Sequence, residues 1–367
     1  MGDTKLATAR LDRLTSLRFL AAFAVFGFHA LAFFSGPTLS VLEFLFGAGR
    51  AGVTFFFLLS GFVLAWSSRT NDHPGAFYRR RFARVYPAYL AALVFAGTLL
   101  AVVDPISLKR GILAPFLLQS WVPDSYIYFG VNVPAWSLSV EAFFYLVFPF
   151  LIRGLRRLTS TQLWCTVVSM LLVSAAFALY VNGSNSANSL DDNTFPIWLA
   201  FYFPLARLPE FVIGICLALL LRSGRMPHIP WVFASLFASA GFLAANLMSS
   251  AFGVVVICIV PFALLIVSAA QRDISGTAGW LRSRWAVKLG AISYCFYLVH
   301  HIFVIRLSQQ GFRDLGVDGW LACAAALGGA LVLAAPLHRF VELPFDKLIR
   351  GDGRVSISEG PPSQTRN

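Results

Sequence analysis

The stretch Ser16–Phe34 reads SLRFLAAFAVFGFHALAFF. It is long enough to cross a bilayer, since about 20 apolar residues span a hydrocarbon core of ~30 Å. Yet it carries an arginine and a histidine, and ionisable side chains are costly in hydrocarbon. Arg18 and His29 stand eleven positions apart. At ~100° per residue that is about three turns plus ~20°, so both side chains leave one helix face. At ~1.5 Å per residue they lie ~16 Å apart along the axis. One face therefore offers a permanent cation near one membrane surface and a titratable imidazole near mid-depth. The plainer alternative is a snorkelling arginine and a histidine hydrogen-bonded to a neighbouring helix.

Composition places this helix in a membrane protein. Residues AVILMFWYC make up 58% of the 367 positions and charged residues only 13%, and the mean hydropathy is +0.72. A soluble domain carries about a quarter charged residues. The net charge of +12 suggests nucleic acid until the basic residues are placed. They cluster at the ends of apolar runs, so no nucleic-acid partner is expected. The five cysteines (Cys165, Cys216, Cys258, Cys295 and Cys323) all lie inside apolar segments without paired spacing. They read as small core residues, with neither a disulfide framework nor a metal site expected. Basic residues precede the first apolar run, as in a signal peptide. However, Arg18 and His29 would be out of place in a disposable segment, so the helix is expected to be retained.

Ten spans are expected, near 17–35, 51–68, 82–103, 135–153, 162–181, 203–222, 229–247, 251–270, 287–308 and 319–341. Shorter apolar pieces at 39–47, 111–121 and 193–202 suit re-entrant or interfacial segments. One alternating set of connections and tails holds 22 of the 29 Lys and Arg residues and the other set holds 5. By the positive-inside rule this puts both termini in the cytoplasm. The fold expected is an all-α polytopic membrane protein with about ten transmembrane helices. Residues 1–348 form the membrane domain, and 349–367 a polar tail expected to be disordered.

The orientation gives depths. His29 lies ~15–18 Å in from the cytoplasmic side. Glu141, in PAWSLSVEAFFYLVFPFL, and His300 and His301, in LGAISYCFYLVHHIFVI, fall at comparable levels of the middle-to-outer half. Such a cluster can merely hold helices together. A histidine with a carboxylate at one level is also what acid–base chemistry on a hydroxyl needs. On the cytoplasmic side, FYRRRFARVYPAY places Arg81 and Arg84 three apart, where with Arg18 they form a cationic collar able to grip phosphates. Arg79 and Arg80 fit positive-inside topology alone. Arg207 and Glu210 are spaced to pair within a helix. Arg339 and Glu342 sit at the cytoplasmic end of the last span, with Glu342 a partner for the collar and Pro344 ending the helix. Ser60–Gly61 in GVTFFFLLSGFVLAW suits small-residue packing, since no nucleophile elbow surrounds the serine.

Taken in order, LDRLTSLRFLAAFAVFGFHA, GVTFFFLLSGFVLA, RRRFARVYPAYL, PAWSLSVEAFFYLVFP, RLPEFVIGICLA, LGAISYCFYLVHHIF and VELPF resemble the membrane-bound acyltransferase-3 family over about residues 10–345. The family acylates sugars of surface polysaccharides, peptidoglycan, Nod factors and some antibiotics. The resemblance implies transfer of an acyl group, acetyl being the expected one, from cytoplasmic acyl-CoA to a hydroxyl of a carbohydrate or glycolipid acceptor. It implies His29, Arg18 and Glu141 as catalytic residues. Arg18, Arg81 and Arg84 are implied to hold acetyl-CoA, and Glu141, His300 and Tyr297 to contact the substrate. No metal is implied, and the location is the bacterial inner membrane, in contact with its lipids. Where the family often has Glu-Gln after the acidic residue, this chain has Ala142-Phe143. The competing class is a transporter or flippase using the same polar residues as a pathway. It lacks the expected inverted repeat and paired interrupted helices.

Overall fold

The computed structural model describes residues 10–31, 39–69, 72–101, 108–183, 194–248, 251–309 and 319–350, and among them all regular structure is helical. In chain order the principal helices are α1 (Asp12–Leu31), α2 (Leu39–Phe46), α3 (Ala51–Ser67), α4 (Pro74–Ala101), α5 (Trp136–Leu155) and α6 (Ser160–Gly183). They continue with α7 (Leu208–Arg222), α8 (Trp231–Ala245), α9 (Cys258–Ile274), α10 (Arg284–Gln309), α11 (Gly319–Pro336) and α12 (Leu343–Arg350). Each of the ten expected spans falls on a helix. Eight helical stretches are long and apolar enough to cross a membrane, whereas α7 and α8 have 15 residues each. Side chains such as Phe150, Leu172, Leu236 and Val332 stay exposed, which in this setting is a surface for lipid rather than water. The molecule is a helical, multi-pass membrane protein.

Two boundaries differ from expectation. The first helix begins at Asp12, five residues early, because Arg13 is buried in a polar clamp. Its backbone N–H and Nη1 donate to the two Asp273 carboxylate oxygens at 2.8 and 2.7 Å, and its Nη2 to the Thr277 and Ala278 carbonyls. Residues 32–35 of that span lie outside the described residues. Pro344 does not end the last span. It stands at the second position of α12, directly after a π-helical segment at Leu337–Glu342, and the helical stretch runs on to Ile349. The polar tail expected from 349 lies outside the described residues from 351 onward. The apolar piece 111–121 is a turn that leaves Ile112, Phe116 and Leu118 exposed and is tied to its surroundings by two hydrogen bonds: Tyr89 donates to the Ala114 carbonyl at 2.6 Å, and Gln119 Nε2 to that of Ala135 at 2.9 Å.

Helix α3 is the centre of the bundle, packed along α7 and also against α1 and α9, while α1 lies along α10 and α10 along α11. Close approach has a simple cause. A Cβ on Gly61 would collide with the Phe211 carbonyl and one on Gly214 with the Leu58 carbonyl, so α3 and α7 meet glycine to backbone in both directions. Gly290 of α10 meets the Thr15 carbonyl of α1 in the same way. The C-terminal carbonyls of α3 find cations: Arg222 Nη1 donates to Ala65, Trp66 and Ser68, and Arg156 Nη2 to Ser68. Such contacts satisfy the orphan end of the helix dipole. They also gather the arginine-bearing ends of α3, α5 and α7 at one side, as the charge count requires.

Gly214→Leu is expected to lower the thermal midpoint of the purified protein sharply, since overpacking costs roughly 1–3 kcal/mol even where the collision is softer than with backbone. Gly154→Ala, with nothing within 4 Å of the added Cβ, is expected to leave it unchanged or raise it slightly. Equal melting curves for the two variants would contradict the packing described.

Candidate active site

The arginine-rich half of the bundle contains a cavity of about 910 Å³, counting its open mouth. α1 contributes Arg18, α3 Ser60, α4 Arg81 and Arg84, α5 Ser137, Glu141 and Tyr145, and α10 Tyr294 and Tyr297. Five residues singled out from the sequence thus share one wall: Arg18, Arg81, Arg84, Glu141 and Tyr297. Among the described residues Arg18 makes no direct hydrogen bond or ion pair there, although Arg84, Glu141 and Glu342 are close enough to act on its charge. Arg81 lies over the Phe77 ring at 5.9 Å. Arg84 is held from behind, with Nε 3.2 Å from Glu342 Oε1. Glu342 is fully buried and its other oxygen takes His338 Nδ1 at 2.6 Å and Cys295 Sγ at 3.3 Å. Cys295, His338 and Glu342 bring potential ligand atoms within 4.8 Å of one another. The Arg84 guanidinium already gives that carboxylate its positive partner, so the cluster acts as the anchor of Arg84.

Glu141 is built into the same wall by two donors. The Tyr145 hydroxyl reaches Oε1 at 2.5 Å and the Ser60 hydroxyl at 3.0 Å. Tyr145 was not singled out from the sequence, and Ser60 was read there as small-residue packing. Tyr145 is legible in hindsight, because i and i+4 side chains on a helix meet. Ser60 follows from the packing of Gly61: with the glycine pressed against α7, the preceding residue turns to the cavity. Tyr297 closes the far end, its hydroxyl 2.8 Å from Ser137 Oγ and its ring 5.7 Å from that of Phe56.

Behind Tyr297 stand three histidines. His29 Nδ1 is 2.9 Å from His300 Nε2, and the rings are stacked. His301 meets His29 edge-on with centroids 4.7 Å apart. Glu141 was expected to orient His29, but the carboxylate is engaged with Ser60 and Tyr145 and the imidazole is met by other imidazoles. The hydrogen bonds assign the tautomers. His300 Nδ1 is 2.8 Å from the Tyr297 carbonyl, which can only accept, so Nδ1 carries a hydrogen. With both rings neutral, His300 Nε2 is then the acceptor and His29 Nδ1 the donor. That leaves the lone pair of His29 on Nε2, the tautomer of a general base. His300 and His301 are buried, whereas His29 keeps open surface.

An ordered set of motifs, a cationic cavity and an oriented imidazole agree with the comparison with known sequences. A family model described as an acyltransferase domain matches residues 11–339. The chain belongs to the acyltransferase-3 family. It is 35% identical to acyltransferase MdmB of Streptomyces mycarofaciens over 96% of both chains. It is 28% identical to the exopolysaccharide production protein ExoZ of Rhizobium meliloti, over 84% of this chain and 92% of that one. With the peptidoglycan O-acetyltransferase OatA of Listeria monocytogenes it shares 26% identity over 97% of its own length, which is 58% of the relative's. No solved structure matches the chain. The protein is an acyltransferase.

Arg207 and Glu210 do not line the cavity. Arg207 Nη2 is 2.8 Å from Glu210 Oε1 and 2.9 Å from Thr54 Oγ1, with the guanidinium over the Phe57 ring, and both residues are buried. Arg207→Met is expected to cost about 3–5 kcal/mol by leaving a buried carboxylate alone, and Arg207→Met with Glu210→Leu to recover most of it. Thermal unfolding in detergent reads both. An Arg207→Met protein as stable as the parent would show that the pair does not hold the bundle.

Proposed function

We propose that the protein transfers an acetyl group from acetyl-CoA, bound at the arginine-rich end, to a hydroxyl of a carbohydrate or glycoconjugate acceptor. The observation that carries this reading is the single cavity wall shared by Arg18, Arg81, Arg84, Glu141 and Tyr297, with the His29–His300 pair directly behind Tyr297. Three guanidinium groups suit the phosphates of CoA. The pantetheine arm is long enough for the ~16 Å from Arg18 to His29, and Phe56 and Tyr297 form the partition it passes. The relatives named for exopolysaccharide production and peptidoglycan O-acetylation support a carbohydrate acceptor. With the termini in the cytoplasm of a bacterial inner membrane, the ten-helix bundle would connect a cytoplasmic donor to an acceptor at the other face. The roles assigned need no metal.

In the reaction His29 Nε2 takes the proton of the acceptor hydroxyl while its oxygen attacks the thioester carbonyl. The carbon–sulfur bond breaks, and the leaving CoA thiolate recovers the proton from the imidazolium. The same nitrogen serves the alternative route, in which it first takes the acetyl group and then passes it on. His300 holds His29 in the basic tautomer, the part a carboxylate plays in a Ser-His-Asp triad. Glu141, fixed by Ser60 and Tyr145, balances the arginines and contacts substrate.

His29→Ala is expected to abolish acetyl transfer in purified membranes while acetyl-CoA still binds. His300→Phe, which keeps a ring and removes the acceptor nitrogen, is expected to lower kcat roughly 100-fold or more with KM for acetyl-CoA little changed. Transfer at the parent rate by the His29→Ala protein would sink the scheme. Arg18→Ala is expected to raise KM for acetyl-CoA at least ~10-fold, the loss of one charge-assisted phosphate contact, and to weaken its salt dependence. An unchanged KM would remove Arg18 from the donor site.

A further inference from the structure

Helix α5 presents a polar side chain to the arginine-rich cavity on successive turns: Ser137, Glu141 and Tyr145. Each step is ~6 Å along the axis. The Ser137 hydroxyl meets that of Tyr297 at the far end of the cavity. Tyr145 lies within electrostatic range of Arg81 and Arg18, and α5 then runs on to Arg153 at the arginine-rich side. Glu141 therefore stands between the Tyr297 end and the arginines, one turn from each level.

The two oxygens of Glu141 are in different situations. Oε1 accepts from both the Tyr145 and the Ser60 hydroxyl. Oε2 accepts no hydrogen bond among the described residues. It is not sealed off either, and keeps accessible surface where Glu141 lines the cavity. With Oε1 engaged, Oε2 is an acceptor held in a fixed direction and open to a ligand. A carboxylate repels phosphate, and like charges brought together are costly. A ligand with its phosphates on Arg18, Arg81 and Arg84 must therefore bring an uncharged part with N–H or O–H donors to Glu141. The pantetheine arm of acyl-CoA has that character, with amides and a hydroxyl and no charge. His29 does not line this cavity, so an acceptor hydroxyl held at the imidazole is not the group that Glu141 meets.

We propose that Glu141 reads the pantetheine arm of the donor. Oε2 accepts a hydrogen bond from an N–H or O–H of the arm, and the charge of the carboxylate stops the phosphates from sliding inward past the arginines. Both effects set the register in which the thioester passes Phe56 and Tyr297. The inference rests on the acyl-CoA reading above and assigns Glu141 to the donor.

The test measures binding of two nucleotides to the full chain in lipid nanodiscs by isothermal titration. Acetyl-CoA carries phosphates and arm, and 3′-phospho-ADP carries the same phosphates without the arm. The ratio of their dissociation constants isolates the arm, because a change in the charge of the cavity acts on both. In Glu141→Met, which removes the acceptor and keeps the bulk, acetyl-CoA is expected to lose at least ~10-fold relative to 3′-phospho-ADP, as for a lost hydrogen bond to a charged group. The armless nucleotide itself is expected to bind as tightly or more tightly, since a like charge has gone. Glu141→Gln keeps a neutral acceptor, and the relative loss expected is about 3-fold. A structural role for Glu141 weakens both nucleotides alike, and a role on the acceptor side weakens neither. Either result leaves the ratio at its parent value and overturns the proposal. Should Glu141→Met bind neither nucleotide, the ratio in Glu141→Gln decides by the same criterion, and loss of both nucleotides in both variants overturns the proposal too. A parent protein that binds neither nucleotide overturns the acyl-CoA reading itself, and the arm contact with it.

Discussion

A 2.9 Å contact between two imidazole rings, His29 Nδ1 to His300 Nε2, joins α1 to α10 behind the Tyr297 that lines the arginine-rich cavity. It depends on how closely the two helices run. Gly290 lets α10 rest on the Thr15 carbonyl, and the Arg13–Asp273 clamp fixes where α1 starts. From that start, the helical period carries Arg18 into one cavity and His29 to the far side of its partition. A larger side chain at Gly290 would push the helices apart and take the rings out of hydrogen-bonding range. Packing small enough to exclude lipid is therefore the condition for the polar contact.

The remaining charges sort by the same rule, since an ion in hydrocarbon needs a partner. Arg13 has Asp273, Arg207 has Glu210 and Thr54, and Arg84 has Glu342. Arg18 has charged neighbours that act on it and, among the described residues, no direct bond. A cation left in that condition on a cavity wall has the electrostatics of an anion site. Glu141 is restrained by a tyrosine and a serine, and it lies close enough to Arg18 for the two charges to act on each other. Phe56 and Tyr297 line the charged cavity, and His300 stands behind Tyr297, its Nδ1 at 2.8 Å from the Tyr297 carbonyl.

Much of this was legible from the chain. Arg18 and His29 fall on one face because eleven residues make about three turns, Arg81 and Arg84 were marked by their place at the cytoplasmic start of an apolar run, and Glu141 by its depth within one. The family likeness rests on the order of these motifs, and the matching family model covers nearly the whole chain. Hidden from the sequence were the relations between helices. Depth alone suggested that His29 meets Glu141, yet rotation of α5 turns that carboxylate to Ser60 and Tyr145, while rotation of α10 brings His300 to His29. Ser60 was masked by its neighbour Gly61, whose packing role is real and which decides where the serine points.

The central claim is that the acyl donor enters among the arginines and delivers its thioester to His29. An experimental structure of the protein with acetyl-CoA bound in nanodiscs tests it most directly. The account predicts CoA phosphates on Arg18, Arg81 and Arg84, the Tyr297 ring displaced, and the thioester carbonyl carbon about 3.5 Å from His29 Nε2, in position to react. Phosphates bound at the opposite end of the bundle, or a thioester held in the arginine cavity with His29 still sealed behind Tyr297, would contradict it.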